Sequence, residues 1–504
     1  MPFYQNIPFF SIMISMFSGI ISSILPAKYA KIVNTVMLIL ISGLSVWLLF
    51  ELNASNIGEF TYAMGHFPAP IGNEIRAGAL EALLATFFCV TMLFCILGGR
   101  KKLLSEIEES KLNIFYILCD LLLSSLLALI YTNDLFTAYV FVEINTIAAC
   151  GLIMIRQTGR CIEASVRYMI MSLLGSGLML MGISILYDLT GHLLMSNIKQ
   201  QVILIMREGT YRIPMLITIG LITVGLAIKS ALFPFHSWVP DAYGYSTVAS
   251  GSILSSLVSK GYIILLVKIF CRVIGLEHIA NSHILNILFI FGLCGMIFGS
   301  VSAIWEKDIR RMIAFSSVAQ IGYIYMGIGL GTNAGMVASV LHIIVHAATK
   351  SLLFTSAIGL TDVSGGSRDF FNLTGAAYRN KTAGVGFLVG SLSMVGIPMF
   401  SGFVSKLLFA QSAVLVSNWK LLPTLIVLAI STILNTIYFL KTVIRIYTPV
   451  NAQTVKEKGF ITVHSKEQKL YSLTIVLFII LNLLLGMASQ PVITFIQTGL
   501  RYFN

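Results

Sequence analysis

The chain has 504 residues, of which 57% are hydrophobic and only 11% are Asp, Glu, Lys or Arg. A soluble domain carries about 25% charged residues, so a soluble globular enzyme is excluded, and so is disorder, which needs low hydrophobicity and high charge. A polytopic membrane protein remains, in which the net charge of +12 reflects Lys and Arg in cytoplasmic loops rather than affinity for nucleic acid.

In chain order, apolar runs set against polar breaks predict fourteen spans, near 8–25, 31–50, 79–98, 113–130, 134–155, 167–187, 214–237, 247–270, 283–304, 312–330, 335–360, 384–410, 421–443 and 469–488. No A-x-A cleavage site follows the first run, so it is read as a retained helix. Two longer connections, 51–78 (with Pro68 and Pro70) and 188–213, fall opposite the cytoplasm. With the N-terminus outside, 21 of the 33 Lys and Arg lie in inside loops and helix ends, Lys456, Lys458 and Lys466 among them, and 8 lie outside. That bias predicts a multi-pass cell-membrane protein with both termini on the outer side. No Ser-, Gly- or Pro-rich linker divides the chain, so residues 1–504 are expected to form a single membrane domain. The seven cysteines include no C-x-x-C pair, which argues against a metal cluster and for thiols packed as small hydrophobes.

An ionisable group at mid-membrane is costly unless it is paired or hydrated. Lys229, Lys260, Lys350, Lys406, Glu143, Asp120 and Glu81 all stand in apolar sequence. One such residue reads equally as half of a structural ion pair. Four lysines cannot all be paired, because Glu143 neutralises only one of them. Burial disfavours a charged lysine and an adjacent carboxylate favours it, so a lysine subject to both can trade a proton near neutral pH. In the eleventh span, His342, His346 and Lys350 are spaced i, i+4, i+8 and share one helical face. The stripe rises about 12 Å, a useful fraction of a hydrocarbon core about 30 Å thick. A zinc site is the rival reading, but no Glu follows the first His and no third ligand is near in sequence; structural histidines are the other. The expected reading is a hydrated proton path.

Two spans carry interruptions beside a lysine. Pro234 follows Lys229 by five residues, and Gly396, Pro398 and Gly402 precede Lys406. Such breaks free backbone groups that must find water, side chains or an ion. The backbone around Lys406 is expected to be non-helical, with its amine in a polar cavity rather than against a carboxylate. Interrupted helices in corresponding positions point to an inverted-repeat transporter, with spans 4–8 and 9–13 as two repeats of five; two unrelated packing kinks are the alternative.

The stretch Lys229-Ser-Ala-Leu-Phe-Pro-Phe-His-Ser-Trp-Val-Pro-Asp-Ala resembles the signature of the antiporter-like subunits shared by respiratory complex I, Mrp-type cation/proton antiporters and membrane-bound hydrogenases. Four further stretches match in order: Asn133-Asp134-Leu135-Phe136 leading to Glu143; Asp308-Ile-Arg310-Arg311 through Gln320-Ile-Gly322-Tyr; His342-x-x-x-His346-x-x-x-Lys350-Ser-Leu-Leu-Phe; and Gly396-Ile-Pro398-Met-Phe-Ser-Gly402-Phe-x-Ser-Lys406. The resemblance covers about residues 60–450. It implies an all-α polytopic subunit of about fourteen helices with broken seventh and twelfth spans. N-terminal helices occupy 1–111, the first inverted repeat 112–272, the second 283–447, and a C-terminal loop and last helix 448–504.

By the same resemblance, Glu143 and Lys229 form the charge-modulating pair of a first half-channel, Lys260 links to the centre, His342, His346 and Lys350 continue the line, and Lys406 ends it. Lysine at 406 leans towards Mrp D-type and hydrogenase-type subunits. Departures are Tyr243 where the family usually has His, Ser246-Thr247-Val248-Ala249 in place of Ala-Pro-Thr-Pro, and Gly78 in place of a carboxylate, with Glu81 one turn later. The absence of a long lateral helix after the last span disfavours the largest complex I subunit.

The expected function is a proton-translocating subunit, moving H⁺ alone or exchanging it for Na⁺, within a multisubunit ion-pumping complex. Its partners are other membrane subunits, further antiporter-like ones among them, and the lipid bilayer. No redox motif, nucleotide loop or nucleophile–base constellation is present, so no cofactor, metal or catalytic residue is expected, and any electrons travel in partner subunits. The alternatives are a stand-alone transporter of a small solute and a quinone-reactive oxidoreductase subunit.

Overall fold

The computed structural model describes residues 3–54, 58–67, 72–209, 211–280, 283–416, 419–449 and 466–503. Pro68, Pro70, Lys456 and Lys458, and the side chain of Lys466, lie outside the described residues.

In hydrocarbon every backbone N–H and C=O must be satisfied within the protein, which leaves the helix as the solution for an apolar run. The first helices are α1 (Ile7–Ile24), α2 (Ala27–Ala54), α3 (Ala79–Glu106), α4 (Leu112–Tyr131), α5 (Leu135–Met154), α6 (Gly159–Thr190), α7 (Met195–Glu208), α8 (Arg212–Lys229) and α9 (Val239–Tyr245). The eighth span, Val248–Ile274, contains α10 (Val248–Ile253) and α11 (Ser259–Lys268), with π-helical turns at Leu254–Val258 and Ile269–Ile274. After it come α12 (Leu276–Ala280), α13 (Ile284–Trp305), α14 (Ile309–Gly329), α15 (Asn333–Asp362), α16 (Ala376–Arg379), α17 (Lys381–Val395), α18 (Ser401–Val416), α19 (Leu421–Ile446), α20 (Lys466–Met487) and α21 (Ser489–Arg501).

Thirteen of the described helices are long and apolar enough to cross a membrane. The pair α17 and α18, of 15 and 16 residues, are each too short and together make one interrupted crossing. The architecture is therefore the all-α polytopic one expected, with about fourteen crossings. The eighth span and α15 are buried all round, whereas α2, α19 and α20 keep a wide apolar face outward.

Several boundaries differ from those expected from sequence. The seventh span ends at Lys229 instead of running to 237, because Ala231 takes a left-handed φ of +66° and Pro234, with no N–H, does not restart the ladder. The twelfth span breaks at Gly396, whose φ of +91° suits glycine. At Gly402 a side chain would meet the Ser393 carbonyl, so the start of α18 packs directly on the end of α17. The connection 51–78 holds an antiparallel pair, β1 (Glu59–Ala63) and β2 (Glu74–Gly78), with Thr61 opposite Arg76. The connection 188–213 holds α7, which buries Met195, Ile198, Val202 and Ile205 at helical spacing. The C-terminal α21 buries Ile493, Ile496 and Leu500 in the same way. All seven cysteines are free thiols, and five are buried.

Two aspartates set matching entries into the bundle. The Asp134 carboxylate accepts from Thr137 N at 2.6 Å and caps α5, and Asp308 accepts from Arg310 N at 2.8 Å and caps α14. Each sits in an isolated antiparallel bridge, Asp134 with Leu194 and Asp308 with Asp369. Replacing Asp308 by Ala is expected to cost about 1 kcal/mol, the usual loss of an N-cap. A lowered melting temperature of the purified protein checks this; an unchanged one would mean the cap is dispensable.

Candidate ion path

Glu143 lies on α5, nine residues beyond the Asp134 cap, and Lys229 is the last residue of α8. The Lys229 side chain is fully buried and its Nζ stands 3.6 Å from Glu143 Oε1, with Glu143 24% exposed. The amine donates to Thr146 Oγ1 at 2.7 Å and sits 5.4 Å from the centre of the Tyr262 ring. The Ser176 hydroxyl of α6 donates to Glu143 Oε1. Carboxylate, hydroxyls and amine thus converge from α5, α6 and α8.

Lys260 begins the second turn of polar contacts. It is fully buried, and its amine donates back to the Ser255 carbonyl inside the π turn and to Ser259 Oγ at 3.4 Å. A π turn leaves carbonyls out of the regular i→i+4 ladder, which is what makes Ser255 O available. The Ser255 hydroxyl meets Ser317 Oγ of α14 at 3.0 Å. The neighbouring Ser316 hydroxyl accepts from Lys350 Nζ, which also donates to the Ile313 carbonyl at 3.0 Å.

On α15 the rings of His342 and His346 lie 6.1 Å apart and nearly parallel. His342 is held at both ring nitrogens, Nδ1 to Ser405 Oγ at 2.9 Å and Nε2 to Gln320 Oε1 at 3.0 Å. Both nitrogens of His346 are buried with no hydrogen-bond partner among the described residues.

Lys406 follows Ser405 on α18. Its amine donates to the Val395 carbonyl at 2.8 Å and to Thr432 Oγ1 at 3.2 Å, and stands 5.5 Å from the Tyr323 ring. Non-helical backbone was the expectation at Lys406. The helix in fact restarts at Ser401, and the irregular backbone is confined to the preceding turn. What Lys406 reaches is the open carbonyl end of α17.

Of the residues singled out from sequence, Glu143 and Lys229 are thus in direct contact and His342 stacks on His346. Among the described residues, Lys260, Lys350 and Lys406 form no hydrogen bond or ion pair with the others and have no carboxylate partner. Sequence reasoning passed over Thr146, Ser176, Ser316 and Thr432, and gave Gln320 and Ser405 no role beyond their motifs. Only helical spacing could have flagged some of them: Thr146 lies one turn after Glu143, and Ser316 and Gln320 are i, i+4 on α14. Glu81, one turn after the Gly78 that replaces the family carboxylate, pairs with Arg272 at 2.7 Å and accepts from Gly78 N at 3.1 Å. The departures around 241–249 leave an ordered turn. Arg167 and Arg311 both pair with Asp241, Tyr243 packs edge-on to Trp238, and Thr247 caps α10.

A polytopic helical subunit with two interrupted spans and buried amines lined up beside imidazoles defines a class of membrane ion-handling proteins. The family described as NADH:quinone oxidoreductase/Mrp antiporter, TM matches residues 132–434, and the chain belongs to it as an antiporter-like membrane subunit. The NADH-quinone oxidoreductase subunit N of Desulforudis audaxviator is 31% identical over 392 residues, 77% of this chain and 75% of that protein. A D-type subunit of the Na(+)/H(+) antiporter of Alkalihalophilus pseudofirmus is 26% identical over 429 residues, 85% and 83% of the two chains. In fold, a chain of the Mrp complex from Dietzia sp. superposes with a TM-score of 0.86 at 22% identity, covering 100% of this chain and 98% of that one. A chain of the membrane-bound sulfane sulfur reductase, an archaeal respiratory membrane complex, gives 0.82 at 23% identity, covering 99% and 96%.

Proposed function

We propose that the chain translocates protons, alone or in exchange for Na⁺, as one subunit of a multisubunit ion-pumping complex in the cytoplasmic membrane. The path runs from Glu143 and Lys229 through Lys260, Lys350 and His346 to His342 and Lys406. One observation carries this reading. Lys260, Lys350 and Lys406 lie within the bundle with hydroxyls and carbonyls as their polar contacts among the described residues. A permanent ammonium there is costly, whereas an amine that releases and regains a proton is suited to relay. The partners are further membrane subunits: the relatives just named are subunits by name, which weighs against a stand-alone solute transporter.

Residues 112–272 and 283–447 are proposed as inverted repeats. Three features recur in the same order in each: an Asp cap on the second helix, a bridge from that Asp to the segment after the third helix, and a break in the fourth span. With 1–111 and 448–504 they would form a single membrane domain, and the Lys and Arg bias supports both termini on the outer side.

Lys260→Met tests the line at its centre, since methionine keeps the volume and removes the amine. Proton uptake into vesicles holding the intact complex should fall about tenfold or more, the loss of an essential proton-transfer group, with subunit composition unchanged. Unaltered uptake in an assembled complex would overturn the path.

A further inference from the structure

A second buried ionisable group stands apart from this line. Asp120, midway along α4, is fully buried. Its Oδ2 accepts from the Ser18 hydroxyl at 2.9 Å and its Oδ1 from the Asn34 amide, while the Ser15 hydroxyl donates to its backbone carbonyl at 2.8 Å. Asn34 is also fully buried, and its side-chain oxygen, necessarily next to the amide nitrogen on Asp120, has no donor among the described residues. Among the described residues the buried hydroxyls of Ser11 and Ser22 have no partner either. Ser11, Ser15, Ser18 and Ser22 recur at helical spacing on the buried face of α1 and extend about 16 Å along it.

Among the described residues, no ion pair joins this carboxylate to a charge on the packed elements; on β2 Arg76 pairs with Glu59 and Glu74 accepts from Asn133, and Lys111, just before α4, pairs with Glu108. α1 has none, and α2 has Lys28, Lys31 and Glu51 near its ends, with Lys31 paired to Glu467 at 3.1 Å. On α3, Glu81 pairs with Arg272, Lys101 and Lys102 pair with Asp362, and Glu106 pairs with Arg310; Arg100 forms no ion pair with Asp120. On α5, Glu143 faces Lys229. On α11, Lys260 is held by Ser255 and Lys268 donates to the carbonyls of Leu129, Ile130 and Thr132. The Cys119 thiol, next to it in the chain, is the titratable group that interacts with Asp120. With Asp120 ionised, the cluster would sum to one negative charge and a surplus of oxygen acceptors in a low-dielectric site, and an uncompensated buried charge of this kind is strongly unfavourable.

The compensating species must be monovalent to match one carboxylate, small to fit an enclosed site, and hard, because every available ligand is oxygen. The Asn34 amide can present its oxygen by turning over. We propose that Asp120, Ser18 and Asn34 form a binding site for a small hard monovalent cation, a proton or sodium, separate from the lysine–histidine line.

Infrared difference spectra of the reconstituted complex, wild type against Asp120→Asn, test this at neutral pH. In sodium-free choline buffer a carboxylic-acid C=O band belonging to Asp120 is expected. Its conversion to a carboxylate band on adding NaCl identifies a site that sodium shares with the proton; a band that NaCl leaves untouched identifies the proton as the occupant. A carboxylate band in both buffers, unmoved by NaCl, overturns the proposal. If Asp120→Asn does not assemble, dicyclohexylcarbodiimide labelling of the wild-type complex, read by peptide mass spectrometry, decides. Modification of Asp120 in sodium-free buffer supports the site, and no modification in either buffer overturns it. Neither readout depends on flux through Lys260, so failure here leaves the main path standing.

Discussion

Replacing Lys406 by Arg is expected to lower ion flux in reconstituted vesicles about tenfold or more while the complex still assembles, because guanidinium does not release its proton in the working pH range. Lys406 donates to the Val395 carbonyl and to Thr432 Oγ1, and Arg keeps a donor for both. It thus preserves the cap on the open end of α17 and removes only the capacity to exchange a proton. Lys406→Ala is less clean. Read from sequence the amine is merely unpaired and its deletion should relieve desolvation. The structure shows that deletion also strips a donor from a helix end, and an unsatisfied buried carbonyl costs about 1–3 kcal/mol. Flux in the Arg variant, measured beside subunit composition, is therefore the deciding comparison. Normal flux with Arg would mean that position 406 needs only a positive charge, and the relay would be wrong at that step.

Glu143→Gln is expected to abolish most transport without unfolding the subunit. Gln has the same shape and retains an oxygen that can accept from Ser176, so the local hydrogen bonding survives. What disappears is the attraction across 3.6 Å to Lys229, on the order of 4 kcal/mol at an effective dielectric near 20. A change of that size on one proton-carrying group alters its occupancy by orders of magnitude. Vesicle pH changes on energisation, together with the melting temperature of the complex, separate the two effects. Full transport with Gln would show that the pair is structural, whereas loss of transport with a large fall in melting temperature would show that Glu143 holds α5, α6 and α8 together.

The axial residues were legible because lipid makes charge conspicuous. Lys229, Lys260, Lys350 and Lys406 stand out in apolar sequence whatever the fold, and helical spacing alone puts His342, His346 and Lys350 on one face. The hydroxyls that meet them were not legible. Ser and Thr cost little in a helix of any kind, and the chain has them on faces that do nothing visible, so Thr146 and Ser176 become meaningful only once α5, α6 and α8 are packed. The same holds for Ser255, whose carbonyl is exposed by a π turn that no local signal marks. The amphipathic α7 and the strand pair at 59–78 were missed for another reason: a search for long apolar runs reads half-polar segments as connections.

Amino-acid sequence by itself determined that this chain crosses a membrane many times, roughly where its spans lie, and which ionisable groups must be accounted for, since transfer of apolar length and of charge into hydrocarbon is a property of local sequence. Tertiary structure decided how each charge is met. Lys229 donates to Thr146 beside Glu143, Lys406 donates to the open end of α17 and to Thr432, and Asp120 meets Ser18 and Asn34 from α1 and α2. These pairings depend on which faces of distant helices touch, and hydrogen bonds and charge pairs act only over a few ångströms, so no spacing along the chain could specify them.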